Sequence, residues 1–337
     1  MNFKTLKARR WWSVRPGPDD CREAIALSRG VLTMKSPSER NPYPPFEMAN
    51  RVSALPSDDR QGMDFYEWLG AYTSQKLIEL GPGDVPSEGR RWLDFGCGAG
   101  RTMRHFLAQA EVAEIWGADI DRPSIEWLND NLCPPLKAIT CGVDPPLPFE
   151  SDSFDFIWAI SVFTHLTDNS ADWLLELHRI LKPGGILMAS YMGELNSEEI
   201  AGEPWDENRI GMNVMRHDQS WDDGGPSVFM SDWWVREHWG RAFEIESIHP
   251  DINNQTWPIL RKKEVTITPS ELLEPSDDPR EWQALKHNLV QSQREVREYS
   301  EALAAQRTSP DFESTLSWRV TRPLRKAADA LRQRRPG

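Results

Sequence analysis

The stretch that decides the architecture is Trp92-Leu93-Asp94-Phe95-Gly96-Cys97-Gly98-Ala99-Gly100-Arg101. Its first half is apolar and short, as suits a strand, and its second half places a glycine at every other position. Such a turn lets a ligand lie against bare backbone. The spacing is G-x-G-x-G, whereas the dinucleotide pattern is G-x-G-x-x-G, whose pyrophosphate needs a helix N-terminus with no acidic side chain crowding it. Here Asp94 stands before the first glycine, and a carboxylate at that point repels phosphate and attracts a cation.

Working outward, apolar strand candidates alternate with helical periods from Arg90 onward. The strands are expected at Arg91–Phe95, Glu114–Asp119, Leu136–Cys141, Phe154–Ile160, Gly185–Tyr191, Ala242–His249 and Gln255–Arg261. The helices are expected at Arg101–Ala110, Pro123–Asn131, Ala171–Leu181 and Ser231–Trp239, with a further one over Asp64–Leu80 that Gly81-Pro82-Gly83 ends. Alternation of this kind gives an α/β fold with a mainly parallel sheet covered by helices. Phe156-Ile157-Trp158-Ala159-Ile160 is apolar throughout, as a strand buried on both faces requires.

S-adenosyl-L-methionine carries an ammonium and a sulfonium and no phosphate, so Asp94 favours it over a nicotinamide dinucleotide. Asp119 ends the next strand about 20 residues beyond the glycines, where a carboxylate can accept from both hydroxyls of a ribose. The other reading makes Asp119 or Asp121 a cap for the helix opening at Pro123, a role that suits Asp121 better because it lies nearer the proline.

The run continues with Gly142-Val143-Asp144-Pro145-Pro146-Leu147-Pro148-Phe149, Ser153-Phe154-Asp155, Ser161-Val162-Phe163-Thr164-His165-Leu166 and Leu181-Lys182-Pro183-Gly184-Gly185. In this order the sequence resembles the class I, Rossmann-like, S-adenosylmethionine-dependent methyltransferases, over about Asp64 to Lys263. The resemblance implies a seven-stranded, mainly parallel sheet with the last strand antiparallel and helices on both faces, within a domain spanning 62–265. It implies a cofactor site made by Asp94, Gly96, Cys97, Gly98, Gly100, Asp119, Ile120, Val143, Asp144 and Ser161, without a metal. Val143 and Asp144 would frame the adenine, although the commoner family pattern has Gly-Asp where this chain has Gly142-Val143.

His165 follows the fourth strand, where this fold presents residues to the methyl acceptor, and imidazole has the intrinsic pKa to take a hydroxyl proton near neutrality. Packing against the cofactor or a helix is the alternative role. Glu194, after the fifth strand, and Tyr191 are candidates of the same type, their alternative being ordinary strand-end solvation. Displacement at a methyl already activated by sulfonium asks mainly for alignment, which supplies about 7–11 kcal/mol. The expected activity is therefore methyl transfer, and the rival reading is a non-catalytic scaffold that keeps the cofactor fold.

The remaining chain is of a different character. The 337 residues, 39% hydrophobic and 27% charged, provide for one large core with extensions, and the net charge of −13 argues against a nucleic-acid partner. Cys21, Cys97, Cys133 and Cys141 lack zinc-type spacing, and reduced thiols in a cytoplasm are expected. Neither a signal-peptide stretch nor an apolar run of about 20 residues is present. Residues 1–61 read as an irregular arm with short helices, in which Pro44-Pro45-Phe46-Glu47-Met48-Ala49-Asn50-Arg51-Val52 resembles the stretch before the core in bacterial methyltransferases associated with surface-polysaccharide synthesis. That resemblance implies an arm closing over the cofactor and a sugar or glycan precursor, or another small molecule, as acceptor. Residues 193–229 form a polar insert on the acceptor side, in which Trp205 and Trp221 are expected to be exposed recognition residues.

Residues 266–280 read as a linker. Over 281–307 the positions Trp282, Leu285, Leu289, Val296, Tyr299 and Leu303 follow a 3,4 spacing interrupted by Ser292, which fits either a short coiled coil or an amphipathic helix packed on the chain's own core. A coiled coil would serve homo-oligomerisation or a partner in glycan assembly. The basic tail, 308–337, resembles endings of bacterial glycan-assembly enzymes, and 316–335 fits either an anionic membrane surface at the inner face or a solvated tail.

Overall fold

The structure, a computed structural model, describes residues 41–53, 55–81, 88–202, 204–217, 219–221 and 224–308. The first 40 residues with Cys21, the Pro82-Gly83 stop and the basic tail beyond 308 lie outside the described residues. Two compact units divide the chain, Met1–Leu285 and Lys286–Gly337.

The first unit begins with α1 (Phe46–Ser53) and α2 (Arg60–Leu80), the latter capped by the Asp59 carboxylate, which accepts from the Gln61 and Gly62 N–H groups. Then follow β1 (Arg91–Phe95), β2 (Glu114–Asp119), α3 (Arg122–Asn131), β3 (Lys137–Thr140), β4 (Phe154–Ala159), α4 (Ser170–Ile180) and β5 (Leu181–Ala189). After these come β6 (Met212–Met215), β7 (Ser227–Met230), α5 (Asp232–His238), β8 (Phe243–Ile252), β9 (Gln255–Lys262) and α6 (Pro269–Leu272). A last helix, α7, spans Arg280–Thr308.

Seven strands form one sheet in the order β3-β2-β1-β4-β5-β9-β8, parallel except that β9 runs antiparallel to both of its neighbours. Alternate side chains of each strand face opposite layers. Leu93, Ile157, Leu187 and Leu260 join Trp173, Leu174 and Leu177 of α4 and Val235 of α5 in one apolar cluster. Trp92, Phe156, Trp158 and Met188 join Leu77 of α2 and Leu128 of α3 in the other. Burial of apolar side chains on both faces is what the continuously apolar strands encode, each fully buried side chain contributing about 1.5–3 kcal/mol.

Three segments differ from the sequence expectation. The helix expected at Arg101–Ala110 is replaced by two 3-10 turns, Met103–Phe106 and Gln109–Glu111. In the first of these Met103, Arg104 and Phe106 are all buried but face different neighbours: Phe106 meets Trp92 edge-on, while the Arg104 guanidinium lies 4.9 Å from the Tyr43 ring. A winding of three residues per turn spreads side chains around the axis in this way, whereas an α-helix would keep one face outward. The insert at 193–229 is less polar than its composition, since β6 and β7 pair antiparallel and Met192, Ile210 and Phe229 form a small core of their own.

The expected linker, 266–280, is folded. Thr268 and Glu271 form a capping box at α6, and Leu272 is fully buried. His238 is bonded at Nδ1 to the Leu272 carbonyl and at Nε2 to the buried Glu281 carboxylate, both at 3.0 Å. Along α7 the side chains of Trp282, Leu285, Leu289, Val296, Tyr299 and Leu303 are exposed.

Candidate active site

The order β3-β2-β1-β4 brings the carboxyl ends of four parallel strands side by side, and the loops that follow them form one edge of the sheet. Asp94, Gly96, Cys97, Gly98, Gly100, Asp119, Ile120, Val143, Asp144 and Ser161 all stand on this edge. At its centre Gly96, Gly98 and Gly100 have φ of +81°, +52° and +76°. A Cβ at Gly96 would come within 2.3 Å of Val162 Cγ2, so no other residue fits there without displacing the β4 loop. Cys97 turns its sulfur inward toward Gly117, and burial raises its thiol well above the ordinary value, so only its backbone faces the turn.

Asp119 organises the turn. Its Oδ2 accepts from the Gly98 N–H at 2.7 Å and its Oδ1 from the Asp121 N–H at 2.8 Å. Each carboxylate oxygen keeps a lone pair, so two vicinal hydroxyls can still be received. Burial raises the Asp119 pKa against the pull of these N–H bonds. Asp121, by contrast, stands at the N-cap position of α3 but makes no side-chain cap bond to its N–H groups: its carboxylate accepts from the Ser124 hydroxyl and pairs with Arg51 at 2.7 Å.

Asp94 is 4% exposed, and burial pushes its carboxyl up to about 7, with Trp158 and Arg101 favouring the charged form and the Asp119 charge opposing it. A buried and a half-buried carboxyl group thus flank one glycine turn, an arrangement that a cationic ligand would favour. Beside them, a Cβ built at Gly98 would meet only Val52 Cγ1, at 3.5 Å. The acidic pair and the bare turn fit a ligand with a cationic end and a ribose.

The neighbouring loops are held by α4. Trp173 Nε1 donates to the Val143 carbonyl at 2.8 Å, Asn169 Nδ2 to the same oxygen at 3.0 Å, and Glu176 accepts from the Leu147 N–H at 2.7 Å. Val143 itself is 63% exposed, an apolar side chain held at the rim. Beyond β4, His165 Nδ1 is 2.7 Å from the Pro226 carbonyl. A carbonyl only accepts, so Nδ1 carries the proton and Nε2 is the basic nitrogen of the neutral ring.

A family model described as a methyltransferase domain matches residues 93–189. Residues 93–189 are thus similar to a methyltransferase domain. The cofactor this domain implies is S-adenosyl-L-methionine, in agreement with the donor set on β1 and β2. Among curated relatives, methyltransferase GfsG of Streptomyces halstedii is 34% identical over 105 residues, covering 30% of this chain and 37% of its own length. The phthiotriol/phenolphthiotriol dimycocerosates methyltransferase 1 of Mycobacterium ulcerans is 27% identical, over 50% of this chain and 55% of that protein. A solved S-adenosylmethionine-dependent methyltransferase from Mesorhizobium loti is 16% identical, with a TM-score of 0.42 and coverage of 56% of this chain and 97% of that one. The matched stretches span 37%, 41% and 55% of the first curated relatives.

Other expected residues of the methyltransferase domain are placed differently. Glu194 is exposed on the short helical turn Glu194–Asn196, which opens the insert. The Tyr191 hydroxyl donates to Asp232 at 2.6 Å inside the core, and burial raises its pKa far from the range of a base. Trp205 packs against the Met192 cluster instead of standing in solvent, while Trp221 is 45% exposed as expected.

The structure adds residues that sequence reasoning had not assigned. Arg51 of α1 pairs with Asp121 and lies 5.5 Å from the Trp221 ring centre, and Arg101 Nη1 donates to the Val52 carbonyl at 2.7 Å. Arg104 Nη2 donates to the Asn41 and Pro42 carbonyls, both at 2.9 Å. The arm therefore lies over the glycine turn, held by three arginines. Its resemblance pointed to an arm that closes over the cofactor but singled out none of the three. Ser190 and Gln255, bonded around Ser161, left a single signal, a glutamine opening an apolar strand.

Proposed function

We propose that this chain transfers the methyl group of S-adenosyl-L-methionine to an oxygen of a small-molecule acceptor. The observation that carries the reading is the pair of carboxyl groups, the buried Asp94 and the half-buried Asp119, on either side of a turn whose glycines leave the backbone bare. Asp94 would face the cationic methionyl end and Asp119 the ribose hydroxyls. When bound, the cofactor supplies a methyl activated by sulfonium, and the protein's task is alignment.

On the acceptor side, His165 Nε2 would take the hydroxyl proton, its tautomer set by the Pro226 carbonyl. Trp221 supports a sugar or glycan precursor as acceptor, because its side chain is exposed and its backbone adjoins the Gly225 turn that packs on His165. The acceptors named for relatives are of other kinds, a phthiotriol ester and a phytyl hydroquinone among them. Calorimetry with S-adenosylmethionine tests the cofactor, and absence of binding at high micromolar concentration overturns it. A panel of sugar nucleotides, polyketide alcohols and quinols, each assayed with His165→Ala, tests the acceptor class and the base.

The exposed stripe of α7 we propose as an association surface, for a second copy or a partner in glycan assembly, tested by mass in solution. No described helix is long and apolar enough to cross a membrane, and the proposed membrane contact of 316–335 concerns residues outside the described ones.

A further inference from the structure

Three hydrogen bonds join Ser161, Ser190 and Gln255 into a ring at the edge of the sheet. The Ser161 N–H donates to Ser190 Oγ at 2.7 Å, the Ser190 hydroxyl donates to Gln255 Oε1 at 2.6 Å, and Gln255 Nε2 donates to Ser161 Oγ at 2.9 Å. Ser190 is fully buried and Gln255 is 7% exposed. The directions are forced. A backbone N–H can only donate, so Ser190 Oγ receives there and must place its own proton on an acceptor, which the carboxamide oxygen provides. The opposite amide orientation would strand the Ser190 proton inside the core, at a cost of about 1–3 kcal/mol.

The consequence falls on Ser161. Its oxygen accepts from the Gln255 amide, which polarises the O–H and leaves its proton and one lone pair for a ligand, and the other hydroxyl near it, Thr164 Oγ1, is at 3.4 Å. Ser161 has a φ of +64°, a left-handed backbone unusual for serine, at the end of β4. The next residue, Val162, packs directly on the Gly96 position, which sets Ser161 beside the glycine turn. We infer that Gln255 is a positioning residue that makes Ser161 a hydrogen-bond donor to the carboxylate of the cofactor's methionyl end. A hydroxyl whose oxygen already receives an N–H is the stronger donor for it and pairs well with an anion, and this carboxylate is the one anionic group of S-adenosylmethionine. Its cationic groups are served by Asp94. The inference rests on the function proposed above and adds a residue from β9, outside the stretch matched by the family model.

Calorimetry on the full chain with S-adenosylmethionine and its decarboxylated analogue tests it. Gln255→Glu places a carboxylate that takes the Ser161 proton back, and binding of S-adenosylmethionine is expected to weaken about tenfold near pH 8. Burial raises the pKa of such a carboxyl, and once protonated it again donates to Ser161. The ratio of variant to wild-type dissociation constants should therefore close toward one as the pH falls to about 5.5. Asp94 on β1, Tyr191 just after β5 and His165 on the β4 loop are common to both proteins and cancel in that ratio. A ratio independent of pH overturns the inference. Ser161→Ala gives a second reading that adds no charge: S-adenosylmethionine should bind about tenfold more weakly and the decarboxylated analogue unchanged, whereas an equal loss for both ligands overturns the assignment of the carboxylate. A wild-type protein that binds neither ligand overturns the proposed function itself, a separate result.

Discussion

The cofactor edge and the acceptor side of this protein are built in opposite ways. At the cofactor edge, β1, its glycine turn and β2 lie close together in the chain, and backbone N–H groups of Gly98 and Asp121 define the Asp119 carboxylate. On the proposed acceptor side, and where the arm and β9 close on the cofactor edge, single side-chain contacts join distant segments: Arg51 reaches Asp121 and Trp221, Gln255 reaches Ser161, and His165 meets the Pro226 carbonyl. The first construction depends on local chain geometry and on the two carboxyl groups that flank the turn. The second depends on where the arm and the insert come to rest, and leaves room for acceptors to vary.

The largest effect is expected at the first region. Asp119→Ala removes both the ribose acceptor and the anchor of Gly98, and calorimetry should show S-adenosylmethionine affinity reduced about 100-fold. Unchanged affinity would mean that the bare glycine turn suffices and that the contrast between the two regions is false.

Asp94→Asn should separate binding from stability. In the cofactor-free protein burial holds this carboxyl at about 7, against an ordinary value of 3.8. The folded state therefore keeps a proton that the unfolded chain releases, so the contribution of Asp94 to stability is fully present below about pH 4 and is lost as pH rises to about 7. At pH 7.5 the asparagine variant should be about 1–3 kcal/mol more stable without cofactor, by urea titration, and bind S-adenosylmethionine about tenfold more weakly. Wild-type affinity should tighten as pH rises from about 5.5 to about 7 and then level, because a bound cation favours the carboxylate. Affinity that is flat over that range would show that no cation sits against Asp94.

A smaller effect is expected from Arg51→Ala, which releases the arm from Asp121 and Trp221. Cofactor affinity should fall about threefold, as suits a partly exposed ion pair, while amide exchange over 41–53 becomes faster. Exchange that stays slow would show that Arg101 and Arg104 alone hold the arm. Leu289→Glu should leave cofactor affinity unchanged and lower the mass measured by light scattering if α7 is an association surface. An unchanged mass, monomeric or not, would refute that role for the stripe.

Much of this could be read in advance. The strands, the positions of Asp94 and Asp119 and the place of Asp121 just before α3 follow from spacing, because a strand–turn–strand unit expresses its constraints within a few residues of each other. The turns at Met103–Phe106 were misjudged as a helix because apolar period alone does not report that neighbours will bury every side of a short segment. Trp205 was taken for a recognition residue because its neighbours in sequence are polar, while its neighbours in space are Met192 and Phe229. The segment 266–280 has a linker's composition, yet Leu272 and Glu281 find partners on α5 and its surroundings.

The sequence by itself determined a parallel α/β sheet with a glycine turn between two acidic strand ends, since periodicity, turn chemistry and charge act over short chain distances. Only the tertiary structure decided that Asp94 is buried enough to want a cation, that Arg51 spans Asp121 and Trp221, and that Gln255 directs the Ser161 proton. Desolvation and hydrogen-bond direction are properties of what surrounds a group in three dimensions, and residues far apart in the chain supply those surroundings.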